Sequence, residues 1–425
     1  MHALENIRFI ESIGTQMENK DYYVVYDKAL NKFYSHINCL IDKLKNKKKV
    51  YIFGTNTPGS MILSYLKANG VEVCGFLDND ITKENKSYRG VYVYTPERIL
   101  KYYDKNIVIL IASGYQDQMI EQILSYGFSM ENIEVVIDLK KEMNDYSFVY
   151  GERRKKLNNI EVRKYQIRIL KRLKSVCEEN HLRYYIAYGT LLGAVRHSGY
   201  IPWDDDIDVC MPAEDVIKLQ NILENDTQYR LITQYKNDIY LGTGCSLMVD
   251  INTISDINRF PIQLSTGISI DVFSLYGIPN DDIEKYIYNT RLLESEVLDN
   301  MYSNEKYKKS LNKLNEYLLS FSYEDCDVVG NTLFANYMRA IYKKNLWGKG
   351  VKLQFEDEKY NCPQEYKEIL KMEYGDYMTP PPEKERQGLH YMNCHSKHFL
   401  SAKFYVFIVT DPVKKRILHI NCLAK

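Results

Sequence analysis

Tyr188-Gly189-Thr190-Leu191-Leu192-Gly193-Ala194-Val195-Arg196-His197, followed by Gly199-Tyr200-Ile201-Pro202-Trp203-Asp204-Asp205-Asp206-Ile207-Asp208-Val209, decides how this chain reads. The apolar run Tyr184 to Tyr188 predicts a strand, and Gly189-Thr190 closes it and opens a helix. Such a turn aims backbone N–H groups and a hydroxyl at an anion. Asp204, Asp206 and Asp208 recur at every second position, so an extended segment puts all three on one face, with Asp205 and Ile207 on the other. Like charges crowded on one face are costly unless a cation neutralises them. An all-oxygen set suits a hard divalent ion, Mg²⁺ or Mn²⁺, shared with substrate phosphates. The bland reading is an acidic turn after Pro202.

Working outward, Asp271 sits inside the apolar run Ile268-Ser269-Ile270-Asp271-Val272-Phe273. A carboxylate in a buried strand needs a partner, and a metal shared with the neighbouring strand supplies one; a satisfied buried acid is the alternative. Strand, Gly-Thr, helix, Asp-x-Asp on the next strand and one more Asp on a third is the layout of the nucleotidyltransferase fold. Asp206, Asp208 and Asp271 are the expected metal ligands. Asp204 is a third carboxylate on the metal, an acid standing behind the ligands, or an exposed residue. Arg196 and His197 either hold phosphate or end the helix, where positive side chains are favoured.

The first block resembles the signature of the LicD family, which fukutin and its relatives share. Gly267-Ile268-Ser269-Ile270-Asp271-Val272-Phe273-Ser274-Leu275 and Tyr374-Gly375-Asp376-Tyr377-Met378 with its prolines match further pieces, and the likeness covers about residues 155 to 393. Ser274 stands where the family usually has proline. The resemblance implies transfer of phosphocholine or another phosphorylated alcohol from a CDP-activated donor to a glycan. It implies Asp204, Asp206, Asp208 and Asp271 as the catalytic carboxylates and Gly189, Thr190, Arg196 and His197 as donor-binding residues. Gly375, Asp376, Arg386 and His390 carry over as acceptor-site or structural residues. The tail from about 396 matches nothing familiar, and its run Phe404 to Val409 reads as an added edge strand or a scrambled end.

Upstream, Val50-Tyr51-Ile52-Phe53, the turn Gly54-Thr55-Asn56-Thr57-Pro58-Gly59 and a helix from Ser60 to Asn69 begin a second unit. Strands from Val71 to Leu77, Ile107 to Ala112 and Ile133 to Ile137 continue it, and apolar strands separated by helices describe a parallel sheet covered on both faces. The fold class is therefore α/β: a helical lead over 1–45, a small doubly wound, Rossmann-like domain over 46–140, and an α+β nucleotidyltransferase-fold domain over 155–425. The Gly54 turn resembles a dinucleotide fingerprint, but Asn56 occupies the place of the second glycine. Asp78 ends the second strand, where a ribose-binding acid sits in such folds.

Length and composition set the frame. At 425 residues the chain suits about two or three domains. Its 56 basic and 56 acidic residues leave no net charge, which argues against a whole-protein grip on nucleic acid or an anionic membrane. Nine cysteines without a CxxC pair signal neither a disulfide framework nor a zinc cluster and fit a reducing compartment. Met1-His2-Ala3-Leu4-Glu5-Asn6 has no signal-peptide character, and no apolar run is long enough to span a bilayer. The expected location is the cytoplasm, free or peripheral at the inner membrane face where the glycan acceptor is lipid-linked. The rivals are a nucleotidyltransferase that releases pyrophosphate and a catalytically silent scaffold that senses a nucleotide. If the donor carries choline, some of the 38 tyrosines would cage its quaternary ammonium.

Overall fold

Two large sheets organise the chain. The computed structural model describes residues 23–26, 28–45, 49–102, 104–137, 157–236, 240, 244–259, 262–300, 304–333, 340–383, 386, 393–396, 409–410 and 417–419. The lead, expected to be helical, contains strand β1 (Tyr23–Tyr26) before helix α1 (Lys28–Lys45). The strand forms because Tyr-Val-Val-Tyr is a β-prone run that finds an edge to pair with in the second sheet.

The first sheet comprises β2 (Lys49–Phe53), β3 (Gly75–Leu77), β4 (Ser87–Tyr88), β5 (Val91–Tyr94), β6 (Ile107–Ile111) and β7 (Ile133–Val135), in the order β4-β5-β3-β2-β6-β7. All neighbours are parallel except β4, which turns back on β5. Helices α2 (Thr57–Ala68), α3 (Pro96–Leu100) and α4 (Gln116–Ser125) connect the strands. This order, reversing between β2 and β6, is consistent with the doubly wound, Rossmann-like arrangement. In β6 alternate residues serve opposite cores: Val108 and Leu110 face one cluster, Ile107, Ile109 and Ile111 the other. That is why the strand reads as unbroken apolar sequence.

The second sheet has nine strands. Helix α5 (Asn159–Glu179) precedes it, started by a reciprocal cap between Asn158 and Glu161. There follow β8 (Tyr185–Ile186), α6 (Tyr188–His197), β9 (Asp208–Pro212), α7 (Ala213–Leu223), β10 (Tyr229–Ile232), β11 (Cys245–Arg259) and β12 (Ile262–Ile278). Helices α8 (Ile283–Asp299) and α9 (Asn304–Leu319) come next, then β13 (Val328–Gly330), β14 (Ile341–Lys343), the hairpin β15 (Val351–Phe355) and β16 (Glu358–Cys362), α10 (Tyr366–Tyr374) and β17 (Asn393–Ser396). The path is β10-β11-β12-β13-β14, with β9 parallel to β12 and β8 antiparallel to β9. Residues 280–345, rich in Tyr, Leu, Lys and Glu, read from sequence as mostly helical, yet strands β13 and β14 fall within them. They are short pieces that pair at the end of β12 and have no helical spacing to contradict. In the tail, Val409–Thr410 pairs with Ile417–His419; Phe404 to Ile408 of the expected strand lie outside the described residues.

The two sheets meet through side chains. Arg89, in the turn between β4 and β5, donates to Ser295 Oγ and, at 3.4 Å, to Asp299 on α8. No described helix is long and apolar enough to cross a membrane.

Candidate active site

The site forms where β9 and β12 run side by side. Asp208 opens β9 and stands opposite Asp271 in the parallel register, so both side chains emerge on the same face. Each residue is only 8% exposed. Thr190 locks this corner: its hydroxyl accepts the backbone N–H of Asp208 at 2.8 Å, and the residue is buried. The hydroxyl expected to face an anion therefore positions a carboxylate instead. The reason is burial, because α6 packs its first turn directly against the start of β9.

Gly189 lies beneath the carboxylates. A β-carbon at this position would stand 2.7 Å from Asp204 Oδ2 and 3.8 Å from Asp208 Oδ2, closer than the first contact permits. Asp204 and Asp208 thus converge over a backbone that only glycine leaves open. Just before it, Tyr188 holds φ at 45°, a left-handed conformation that is costly for a residue with a side chain. Its ring packs edge-on against Phe273 at 5.2 Å.

The alternation expected over 204–208 does not hold, because the strand begins only at Asp208 and residues 204–207 form an irregular loop. One consequence is that Asp205 joins Asp204 and Asp206 instead of pointing away: oxygens of the three lie within 4.8 Å of one another, all half-buried. Asp204, Asp206 and Asp208 also act together on Tyr374, whose hydroxyl is pushed up by burial, then by Glu373, then by these carboxylates. The loop is held by two α5 residues that sequence reading missed. Arg163 donates to the carbonyls of Ile201 (3.3 Å), Pro202 (3.1 Å) and Asp204, and its guanidinium rests on the Tyr200 ring at 4.6 Å. Gln166 donates to the Asp205 carbonyl at 2.9 Å and accepts from Tyr200 at 3.0 Å. Both lie on α5, where nothing in the sequence pattern sets them apart from solvated polar residues.

Arg196 donates to the Tyr377 carbonyl at 2.9 Å, and burial followed by the nearby Arg386 lowers its pKa. His197 is exposed, its ring 6.4 Å from Trp203, and burial followed by Arg196 pulls it below the usual imidazole value. Asp376 accepts from Thr379 at 2.7 Å, a loop staple, and Gly375 takes a positive φ of 68° after α10. Ser274 accepts from the Tyr235 hydroxyl at 2.9 Å, a bond proline would not make. His390 lies outside the described residues. Beneath the site, burial raises Glu373 to about 7, although the Tyr342 hydroxyl donates to it.

The Gly54 turn of the first sheet is closed on itself. Asn56 accepts the N–H of Gly59 at 2.8 Å, and Pro58 contributes no N–H, so the first turn of α2 has little to offer a pyrophosphate. Asp78 is engaged by Thr55 and, at 2.9 Å, by Lys83.

The fold and the carboxylate corner define a nucleotidyltransferase-type domain. Residues 181–291 match the family model LicD/FKTN/FKRP, nucleotidyltransferase domain, so the chain carries a LicD-family domain; residues 46–134 match a different model, C2185-like, N-terminal. The chain is similar to the lipopolysaccharide cholinephosphotransferase LicD of Haemophilus influenzae, with 26% identity over 256 residues, 54% of this chain and 94% of that protein. It is also similar to uncharacterized proteins of Rickettsia prowazekii (38% over 89 residues) and Rickettsia typhi (37% over 99 residues). Those matches cover 19% and 21% of this chain and 34% and 31% of the relatives.

Proposed function

We propose that this chain transfers a phosphorylated alcohol, phosphocholine or a close analogue, from a CDP-activated donor to a hydroxyl of a cell-surface glycan and releases CMP. The reaction takes place on the cytoplasmic side, at the inner membrane face where the acceptor is lipid-linked. The observation that carries this reading is the pairing of Asp208 with Asp271 in adjacent parallel strands, with Asp204 converging over Gly189.

The donor set fits a hard divalent cation. It is all carboxylate: oxygens of Asp204, Asp205 and Asp206 lie within 4.8 Å of one another, Asp208 pairs in register with Asp271, and like charges so placed favour a cation between them. Asp206, Asp208 and Asp271 would hold Mg²⁺ or Mn²⁺, with Asp204 beside them. Such an ion supplies charge stabilisation on the transferred phosphoryl and the leaving nucleotide. The N-terminal turn of α6 would offer backbone N–H groups to phosphate oxygens, and Arg196 would add a guanidinium. Asp271 or Asp204 takes the proton of the attacking hydroxyl. Arg163 and Gln166 keep the aspartate loop in place, because a fixed arrangement of charge is what lowers the barrier.

The test is a donor screen with CDP-choline, CDP-ethanolamine, CDP-glycerol and CDP-ribitol, reading released CMP in the presence of Mg²⁺. CMP from at least one of them supports the reading. Pyrophosphate from labelled CTP with no CMP from any donor would replace it with nucleotidyl transfer.

A further inference from the structure

We propose that Arg196 and Arg386 form a two-armed clamp for the phosphate groups of the activated donor, with Trp203 as the plate on which Arg386 rests. The proposal rests on the donor reading above and names a residue that the carboxylate site does not include.

Trp203 joins the two halves. Its ring carries the Arg386 guanidinium at 5.1 Å on one side and meets the His197 ring edge-on at 6.4 Å. Arg196 is the residue before His197 on α6, and Asp204 is the residue after Trp203. Cations from α6 and from the proline-rich segment thus gather immediately beside the acidic loop.

Both arginines are anchored but underused. Arg196 donates to the Tyr377 carbonyl at 2.9 Å, and Arg386 donates through Nε to the Pro381 carbonyl at 2.8 Å. A guanidinium has five donors. Among the described residues no carboxylate forms an ion pair with either, and Arg196 Nε is buried from water with no hydrogen-bond partner. Each anchoring carbonyl belongs to the segment after α10, so that segment fixes both guanidinium forks at once.

Such an arrangement is unfavourable as it stands. Arg196 lies close enough to Arg386 for its charge to be disfavoured, after burial, and its Nε is a desolvated orphan N–H; an anion held between the two forks would offset both. Phosphate oxygens match the geometry of an arginine fork, and two forks suit a diphosphate.

The test is calorimetric titration of the full chain with inorganic pyrophosphate, in EDTA so that no metal bridges the anion to the aspartates. Wild type is expected to bind. Arg386→Gln should weaken binding about tenfold or more, while Arg386→Lys, which keeps the charge but not the fork, should fall between the two. Arg196→Gln, measured in parallel, should produce a similar loss, so the conclusion survives if one variant fails to fold. Affinity unchanged in folded Arg386→Gln, or no binding by wild type, would overturn the clamp. Failure of the donor screen is a separate result: it would remove the CDP-alcohol reading and leave the pyrophosphate affinity standing.

Discussion

Asp208 on β9 and Asp271 on β12 are direct neighbours in parallel register, and each is held to 8% exposure by the strands around it. Two carboxylates so placed suit a divalent ion held between them.

The first prediction concerns this pair. Asp208→Asn or Asp271→Asn should lower CMP release about 100-fold or more, since charge placed at the reacting phosphorus is where such sites gain most. Wild-type Tm should rise with Mg²⁺, because a ligand bound only by the folded state stabilises it. The variants should lose that rise while keeping or exceeding the metal-free Tm. A variant with full activity and an unchanged Mg²⁺ response would rule out the metal assignment.

Gly189 gives a test of geometry without a change of charge. In Gly189→Ala the new methyl would meet Asp204 Oδ2 at 2.7 Å, so the carboxylate must move. The expected result is a fall in kcat of about 10- to 100-fold, the scale on which small misplacements act, with circular dichroism unchanged. Wild-type turnover would show that Asp204 is not needed where it stands.

Arg163 should separate positioning from contact with substrate. Arg163→Ala removes donors to the carbonyls of Ile201, Pro202 and Asp204 and should cost about 1–3 kcal/mol of stability. Its kinetic mark should be a higher Mg²⁺ concentration for half-maximal rate, with KM for the donor little changed. A rise in donor KM alone would place Arg163 on the substrate.

Glu373 predicts a pH dependence. Burial lifts its folded-state pKa to about 7, above the ordinary glutamate value in the unfolded chain. Between those two pH values the native state holds the proton that the unfolded state has released, so stability falls as pH rises. The loss should be on the order of 3–4 kcal/mol, complete above about pH 7. Glu373→Gln, which retains an acceptor for Tyr342, should flatten this part of a Tm-versus-pH curve; an unaltered slope would refute the assignment.

Much of the first sheet could be read directly. Val50 to Phe53 and Ile107 to Ile111 are unbroken apolar runs because each is buried on both faces, and the glycine-containing turn and helix follow β2 in order. The dinucleotide fingerprint was only partly legible. Asn56 stands where a glycine would admit pyrophosphate, but only the folded turn reveals that its side chain caps Gly59. The strand of the lead was hidden because Tyr23–Tyr26 has no partner nearby in sequence; it pairs with residues more than two hundred positions away.

The sequence by itself located the acid-rich stretch after Pro202 and the apolar run that carries Asp271, since residue type and spacing are local. It also placed a Gly-Thr turn ahead of them. Only the tertiary structure decided that Asp205 joins Asp204 and Asp206, that Thr190 serves Asp208, and that Arg163, Gln166 and Arg386 converge on the same loop. The physical reason is that these arrangements depend on where β9 begins and on how α5 and the segment after α10 pack across it. Those are contacts between parts of the chain that share no local pattern.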